Sequence, residues 1–553
     1  MKDLIQQFFR GDIDDSPGTL EKYSRDASLF EIRPELVVYP KDSADIQELI
    51  KWAGKHKEQF PHLSLTVRAA GTDMSGGAVN NSIIIDVTRY MNTIISVDEK
   101  YAVVEPGVYY RDMEKETLAH GVIMPSYTAS KDLCAVGGMV GNNAGGEKSI
   151  KYGKTENYIA SLNIILSDGY EYTIRSLSER ELSAKMTEKS LIGELYRKLF
   201  ALISEHKEII ALARPHVSKN SAGYYLWNIF DEKTKTFDIC RLIVGSQGTL
   251  GIVTQITFRL VPVPKQQNLI AIFLPHIQKL GEVVDQILPL EPESFESYDD
   301  YSMKLAVRFA PSLVKQMGFV KSLKLLWQFI PDLWLVLRGG IPKLVLLVEM
   351  TGDTEEEVTR KLSLVAQTIE PYEYKYRIAK NALEAEKYWK IRHESFNLLR
   401  NHVKGKQTAP FIDDIIVPPE HLPTFLPELQ ALLSEYKLVY TIAGHAGNGN
   451  FHIIPLMDMT EPLSEGVILN LSKRVYTLVI RYGGSITAEH NDGIIRTPYL
   501  LQMYGSRIVR LFQDIKDMFD PLNLFNPGKK VGGTIENIHQ YLSHGGKGHT
   551  HNS

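Results

Sequence analysis

The spacing of apolar and polar positions changes several times along the chain, and each change predicts an element. Arg33–Pro40 is an extended, proline-bounded run that reads as a strand, and Ser43–His56 follows with Ile46, Leu49, Ile50 and Trp52 on part of one helical face. Short strands are predicted at Ser64–Arg68, Ile83–Asp86, Ile94–Val97 and Ala102–Glu105. Between Gly121 and Gly153 the chain is rich in Gly and Asn, so loops are expected to dominate. Ser161–Leu166 and Glu171–Ile174 read as strands joined at Ser167-Asp168-Gly169, because Asp-Gly supplies the positive φ of a tight turn. Leu191–Leu212 reads as a helix, Asp238–Val244 as a strand entering Gly245–Gly251, and Ile252–Leu260 as another strand. Beyond Pro262–Pro264 the character changes. Strands at Leu269–Phe273 and Leu344–Met350 and an amphipathic helix at Thr354–Ile369 predict a second α+β domain. A helix over Leu500–Phe519 precedes Asp520–Lys529 and a polar tail. No period of 20 to 50 residues is evident.

Phe319–Leu337 stands apart as strongly apolar, but Lys321, Lys324, Pro331 and Asp332 interrupt it and make it a poor membrane span. It can pack within the second domain, serve a contact in a homodimer, or lie on a membrane surface through Trp327 and Trp334. With 553 residues, 44% of them hydrophobic, the chain is long enough for several domain-sized cores. A net charge of −4 offers no basic field for nucleic acid, which is excluded as a partner. Cys134 and Cys240 cannot build a disulfide framework or an iron–sulfur cluster. The N-terminus carries Asp3, Arg10 and the acids of Asp12–Asp15 rather than the apolar core of a signal peptide, so a cytoplasmic location is expected, peripheral on the inner membrane face if 319–337 touches lipid.

Three glycine runs could bring backbone amides close to a phosphate. Gly141–Ser149 is not a nucleotide-triphosphatase loop, because Glu147 stands where lysine must follow Gly146. Gly245–Gly251 lacks the two-then-three glycine spacing of a nicotinamide-binding fold. The third, Arg68–Gly77, directly follows a predicted strand.

Together with Arg33–Pro40, Ile84–Arg89, Val104–Val108, Gly137–Gly146, Lys151-Tyr152-Gly153 and Gly245–Thr254, these runs resemble, in order, the FAD-binding domain of the vanillyl-alcohol-oxidase or PCMH type. The resemblance implies that Arg68, Ala70, Gly71, Thr72, Asp73, Met74 and Ser75 wrap the FAD diphosphate. It places Pro125, Gly137, Gly138, Gly141, Asn142, Asn143, Gly145 and Gly146 along the flavin and ribityl chain, with Tyr152 also in contact. Gly248, Gly251, Ile252 and Val253 would meet the adenine side, and Asn526 is a further contact. Ala69-Ala70-Gly71 replaces the usual three glycines and Gln247 the usual Glu. Arg68–Gly77 holds no histidine, so non-covalent FAD is expected.

The second half carries Gly444-His445-Ala446-Gly447-Asn448-Gly449-Asn450-Phe451-His452, and Glu489-His490 begins 37 residues after His452. Two imidazoles and a carboxylate suit a divalent transition metal with a position left open for substrate oxygen. The segment resembles the FAD-linked oxidase C-terminal domain of the D-lactate, D-2-hydroxyglutarate and glycolate dehydrogenase group. By that resemblance His445, His452 and Glu489 are metal ligands, for zinc or else manganese or iron. His490 is the neutral base that takes the hydroxyl proton, and Arg392 is the cation for the substrate carboxylate. Asn448 and Asn491 depart from the Asp and Gly of the pattern. Phe411-Ile412-Asp413-Asp414 lacks the lysine of the D-2-hydroxyglutarate branch, and Asn220 either meets substrate or braces its loop. His539, His544, His549 and His551 are expected to be solvated.

The expectation is an α+β chain. It comprises an N-terminal segment 1–32, a two-subdomain PCMH-type FAD-binding domain 33–264, and an FAD-linked oxidase cap domain 265–499 with an antiparallel sheet. A segment 500–532 packs back near the FAD domain, and 533–553 is a flexible tail. The function implied is FAD-dependent oxidation of a small D-2-hydroxy acid to the 2-oxo acid, with electrons passing to a quinone or a separate electron-transfer protein, because two cysteines build no onward relay. The alternatives are a redox-neutral FAD transferase resembling alkyl-dihydroxyacetone-phosphate synthase and a non-catalytic flavin-binding electron-transfer subunit.

Overall fold

The computed structural model describes residues 1–300, 341–402 and 406–543, the side chains of 393–402 excepted; 319–337 and the tail histidines His544, His549 and His551 lie outside the described residues. Asp12–Asp14 (β1), Leu36–Tyr39 (β2), Leu65–Arg68 (β3) and Ile83–Asp86 (β4) form a sheet in the order β1-β2-β4-β3, with β2 and β3 parallel to β4. Parallel neighbours need a crossover, and Ser43–His56 (α1) supplies it between β2 and β3. Asp42 starts that helix by accepting from the amides of Ala44 and Asp45. Because both faces of this sheet are covered, β4 is apolar along Ile83-Ile84-Ile85, and Arg68 at the end of β3 opens the first glycine run.

A second, antiparallel sheet joins Ile94–Val97 (β5), Tyr101–Val104 (β6), Ile159–Ile165 (β7), Glu171–Arg175 (β8) and Ile252–Arg259 (β9) in the order β5-β6-β9-β7-β8. Gly169, at φ +74°, closes the β7–β8 hairpin as the Asp-Gly pair predicts. Between these strands lie Val136–Asn142 (α2), Ser149–Tyr152 (α3), Leu191–Glu205 (α4), Lys207–Leu212 (α5) and Cys240–Ile243 (α6).

The second half is built on an eight-stranded antiparallel sheet of Gln266–Leu274 (β10), Ser294–Asp299 (β11), Leu344–Gly352 (β12), Lys375–Ile378 (β13), Gln407–Thr408 (β14), Ile415–Ile416 (β15), Val439–His445 (β16) and Asn450–Met457 (β17). The order is β13-β10-β12-β11-β16-β17-β14, and β15 also pairs with β17. The register sets Ser294, Glu296 and Tyr298 opposite Glu349, Leu347 and Val345, so these six share one face. On that face Tyr298, Val345 and Leu347 pack with Tyr388 and Ile391 of Ala382–His402 (α8). The opposite face sends Phe295 and Val348 into the main core with Val358, Leu362 and Val365 of Glu355–Ile369 (α7).

Leu500–Phe519 (α9) then returns the chain to the first sheet, where the Leu65 amide donates to Leu524 O (2.7 Å) and the Asn526 amide to Leu65 O (3.0 Å). Leu524 and Phe525 thereby join the core behind β3 and β4.

Four expectations change. Asp238–Val244 is no strand: the Asp238 carboxylate accepts from the Cys240 amide (3.0 Å) and starts α6, since a short apolar run does not by itself separate strand from buried helix. The Gly137–Gly146 stretch opens inside α2, where Val136, Met139 and Val140 recur at helical spacing and are buried. The helix over Leu191–Leu212 breaks at His206, which sits outside the helical region, into α4 and α5. The start of the supposed flexible tail is ordered: Thr534 caps Ile535–Tyr541 (α10), and Leu542 bridges to Phe30.

Candidate active site

β16 and β17 are joined through Ala446–Asn448 and Gly449, which takes φ +69° where a Cβ would strike the Val417 carbonyl. Ala443 stands opposite His452, so His445 and His452 share a face of the sheet. Nε2 of His445 lies 3.3 Å from Nε2 of His452 and 3.0 Å from Glu489 Oε1, and His452 Nε2 lies 3.7 Å from that oxygen. The other ring nitrogens are engaged: His445 Nδ1 is 2.5 Å from Glu296 Oε1 and His452 Nδ1 3.1 Å from Asp413 Oδ1. Carboxylates behind both imidazoles fix the tautomers and leave each Nε2 as the atom available to a cation. Two nitrogens and one oxygen gathered in this way fit a divalent transition cation.

Asp414 also lies close, its ligand atom within 4.8 Å of those of His452, Glu489 and His490. It is otherwise employed. Its Oδ2 accepts from Thr487 Oγ1 and the amides of Ala488, Glu489 and His490, and its Oδ1 accepts from Asn450 Nδ2, so it shapes the loop beside the cluster.

His490 stacks on His452 with ring centres 5.0 Å apart and an interplanar angle of 22°. Its Nδ1 is 2.7 Å from Asp413 Oδ2, though not aligned for a hydrogen bond. Burial disfavours a charged His490, but Asp413 and Asp414 outweigh it and push the pKa up to about 9. The protein alone therefore keeps His490 protonated at neutral pH, whereas the sequence suggests a neutral base. Burial is likewise outweighed at His445, which Glu296 holds above the ordinary imidazole range, and at Glu489, which Lys219 and His445 hold well below the carboxylate range. At His452 burial prevails and lowers the pKa.

Glu489 joins the two halves of the chain. Its Oε2 is 2.7 Å from the fully buried Lys219 Nζ, and a Cβ on Gly145 would stand 2.9 Å from the same oxygen. Gly145 thus has no room for a side chain beside the Glu489 carboxylate. Lys154, from the first half as well, donates to Asn220 O, Ser221 Oγ and Ala488 O.

The glycine runs converge through side-chain amides. Asn142 Nδ2 donates to Asp73 Oδ1 (2.8 Å), while Gln247 Nε2 donates to Ser75 Oγ and Asn142 Oδ1 (both 3.2 Å). Asn526 Nδ2 donates to Gly77 O and Gln247 O, both at 2.8 Å. Gln247, standing in place of Glu, also accepts from the Gly493 amide (2.9 Å) and so ties the runs to the His490 loop. Gly71 takes φ +70°, and the half-buried amides of Ala70, Gly71, Thr72 and Met74 meet no acceptor among the described residues. Those donors fit an FAD diphosphate. Gly138, exposed on α2, faces Ala69 of the first run, and Pro125 is buried one residue before Ser126, whose hydroxyl donates to Ala144 O. Gly248 packs on Val67, and Gly251, Ile252 and Val253 lead into β9 against β7.

Several other expected residues make contacts within the chain. Arg68 folds over Gly71 and Tyr23. Tyr152 sends its hydroxyl 3.2 Å to Glu293 of the second half. Arg392 is largely buried, and its Nε and Nη2 each lie 3.2 Å from Glu296 Oε2, so this edge of the guanidinium backs the His445 partner. Asn220 is a loop brace, bonded to Tyr504, Ser485 and the Ala222 amide. Asn491 takes φ +72°, which accounts for the Gly of the pattern and for the tolerance of Asn there.

Sequence reasoning misses Glu296, Asp413, Asp414 and Lys219. Asp413-Asp414 is visible only as the absence of a lysine, and Glu296 only as a charge among the polar and aromatic positions of Ser294–Asp299.

Residues 34–175 match the family model described as FAD binding domain, and residues 263–530 the one described as FAD linked oxidases, C-terminal domain. The chain is 26% identical to a D-2-hydroxyglutarate dehydrogenase of Pantoea ananatis, over 96% of the chain and 51% of that protein. It spans about half the length of such relatives. A glycolate oxidase subunit GlcD of Bacillus subtilis is 24% identical, with 95% of both chains covered. A D-lactate dehydrogenase of Anaerostipes hadrus is 25% identical over 90% of this chain and 89% of its own. Among solved structures, an alkyldihydroxyacetonephosphate synthase superposes with a TM-score of 0.65 at 16% identity, covering 95% of this chain and 84% of that one. A p-cresol methylhydroxylase gives 0.64 at 16% identity, covering 95% and 94%. These two likenesses concern the fold alone.

Proposed function

The chain belongs to the FAD-linked oxidases, and from that premise we propose that it oxidises a small D-2-hydroxy acid to the 2-oxo acid and passes the electrons to a quinone or a separate redox protein. The observation that carries the reading is the meeting of His445 Nε2, His452 Nε2 and Glu489 Oε1 within 3.0–3.7 Å of one another, with His490 stacked alongside. Bound flavin supplies the acceptor for the carbon-bound hydrogen and its electron pair, and a divalent cation, zinc or else manganese or iron, would lower the pKa of the substrate hydroxyl.

The chain's own residues do the rest. His445, His452 and Glu489 would hold the cation, Glu296 and Asp413 keeping the two imidazoles turned toward it. His490 takes the hydroxyl proton at its free ring nitrogen, Nε2. A cation at the cluster opposes the charged form of that imidazole and so favours the basic one. Arg392 places positive charge beside the cluster, where a substrate carboxylate would come to rest.

Anaerobic addition of D- and L-2-hydroxy acids to the FAD-loaded protein tests this. Bleaching of the flavin band near ~450 nm by D-isomers is expected. Turnover with the flavin left oxidised would favour a redox-neutral transferase, and bleaching by L-isomers alone would overturn the assigned stereochemistry.

A further inference from the structure

We propose that Asp413 is a positioning residue that sets two working imidazoles with one carboxylate: the metal ligand His452 through Oδ1 and the base His490 through Oδ2. The inference rests on the reading of the site just given. Asp413 is wholly buried between the two rings: Oδ1 makes a hydrogen bond with His452 Nδ1 (3.1 Å), and Oδ2 stands 2.7 Å from His490 Nδ1 as an ionic contact not aligned for a hydrogen bond. The rings lie nearly parallel, and with both Nδ1 atoms turned to the same carboxylate the Nε2 atoms are left as the working atoms, one for coordination and one for the proton.

The backbone that carries this carboxylate is itself held. Arg496, fully buried, donates to Asp413 O (2.7 Å) and Asn491 O (2.9 Å), while the adjacent Asp414 gathers the amides of Glu489 and His490. Residues 413 and 414 therefore act as one clamp, Asp414 on the backbone of the catalytic loop and Asp413 on side chains. His445 has a separate carboxylate, Glu296, that touches neither His452 nor His490 among the described contacts. Asp413 thereby couples cation binding to proton transfer through side chains.

The test uses the FAD-loaded full chain and its D413N and D413E variants. Zinc affinity is read by competition with a chromogenic chelator, and anaerobic flavin reduction by a D-2-hydroxy acid is followed at limiting and saturating zinc. D413N is expected to bind zinc about 10- to 100-fold more weakly. Saturating zinc should restore its occupancy while reduction stays at least about tenfold slow, because His490 remains misplaced. D413E keeps the charge on a longer arm; it should bind zinc within about tenfold of the parent and still reduce flavin slowly, which keeps the test valid if D413N does not hold FAD. Unchanged zinc affinity in D413N, full recovery of its rate at saturating zinc, or parental rates in D413E would overturn the role of Asp413. A parent chain that takes up no zinc, manganese or iron would instead overturn the reading of the site on which the role depends.

Discussion

His490 and Asn526 show how single side chains carry the account. Replacing His490 by Gln keeps a ring-sized polar group but removes the base, so substrate-driven flavin reduction should slow by about 10²- to 10⁴-fold with FAD and metal content retained, as stopped-flow absorbance and metal analysis would show. Asn526→Ala would leave the buried carbonyls of Gly77 and Gln247 without donors, costing about 2–4 kcal/mol in denaturant unfolding and weakening FAD retention on gel filtration. His445, His452, Glu489, His490 and the glycine runs stood out in the sequence because they match the pattern of the family it resembles. The carboxylates behind them were not, because Glu296, Asp413 and Asp414 reach the site only through strand register and a loop turned by the positive φ of Asp414.

Strands and helices were legible where one period persisted. β10, β12 and α7 follow the expected apolar pattern, and Thr354 caps α7 as its position implies. Where the apolar run was short, as at Cys240–Ile243, or glycine-rich, as at Val136–Asn142, tertiary burial decided the element and the sequence reading failed. Strand β12 also brings a testable pH effect. Burial, aided by Glu147 and Glu293 and opposed by Lys148, pushes the Glu349 carboxyl up to about 7. Between the ordinary carboxylate value and pH 7 the folded chain holds a proton that the unfolded chain has lost, so this group's contribution to stability falls as pH rises through that window. Glu349→Gln should remove the loss, on the order of 3 kcal/mol at most, so that its melting temperature rises relative to the parent from pH 5 to pH 8.

At the scale of the whole molecule, the two halves meet through buried charge. Glu293 of the cap accepts from Lys151 (2.6 Å), Lys148 (3.3 Å), Tyr152 (3.2 Å) and Thr351 (2.9 Å), and α3 thereby fixes the loop that carries Gly145 and Gly146. Glu293→Ala would leave the lysines unpaired and should cost on the order of 2–3 kcal/mol, visible as a lower melting temperature. A change of pattern near Pro262–Pro264 was visible in the sequence. That Lys219 and Gly145 of the first half stand against Glu489 of the second, and Lys154 against Ala488, was not, since 270 residues separate Lys219 from Glu489. No helix among the described residues is long and apolar enough to cross a membrane.

The convergence of three ligands beside a base is the claim on which everything else depends, and metal dependence tests it most directly. Chelator-stripped protein, still loaded with FAD, is mixed anaerobically with a D-2-hydroxy acid before and after zinc or manganese is restored. Loss of flavin bleaching on stripping and its return with the cation is the predicted result; stripped protein that bleaches as fast as untreated protein would contradict the account.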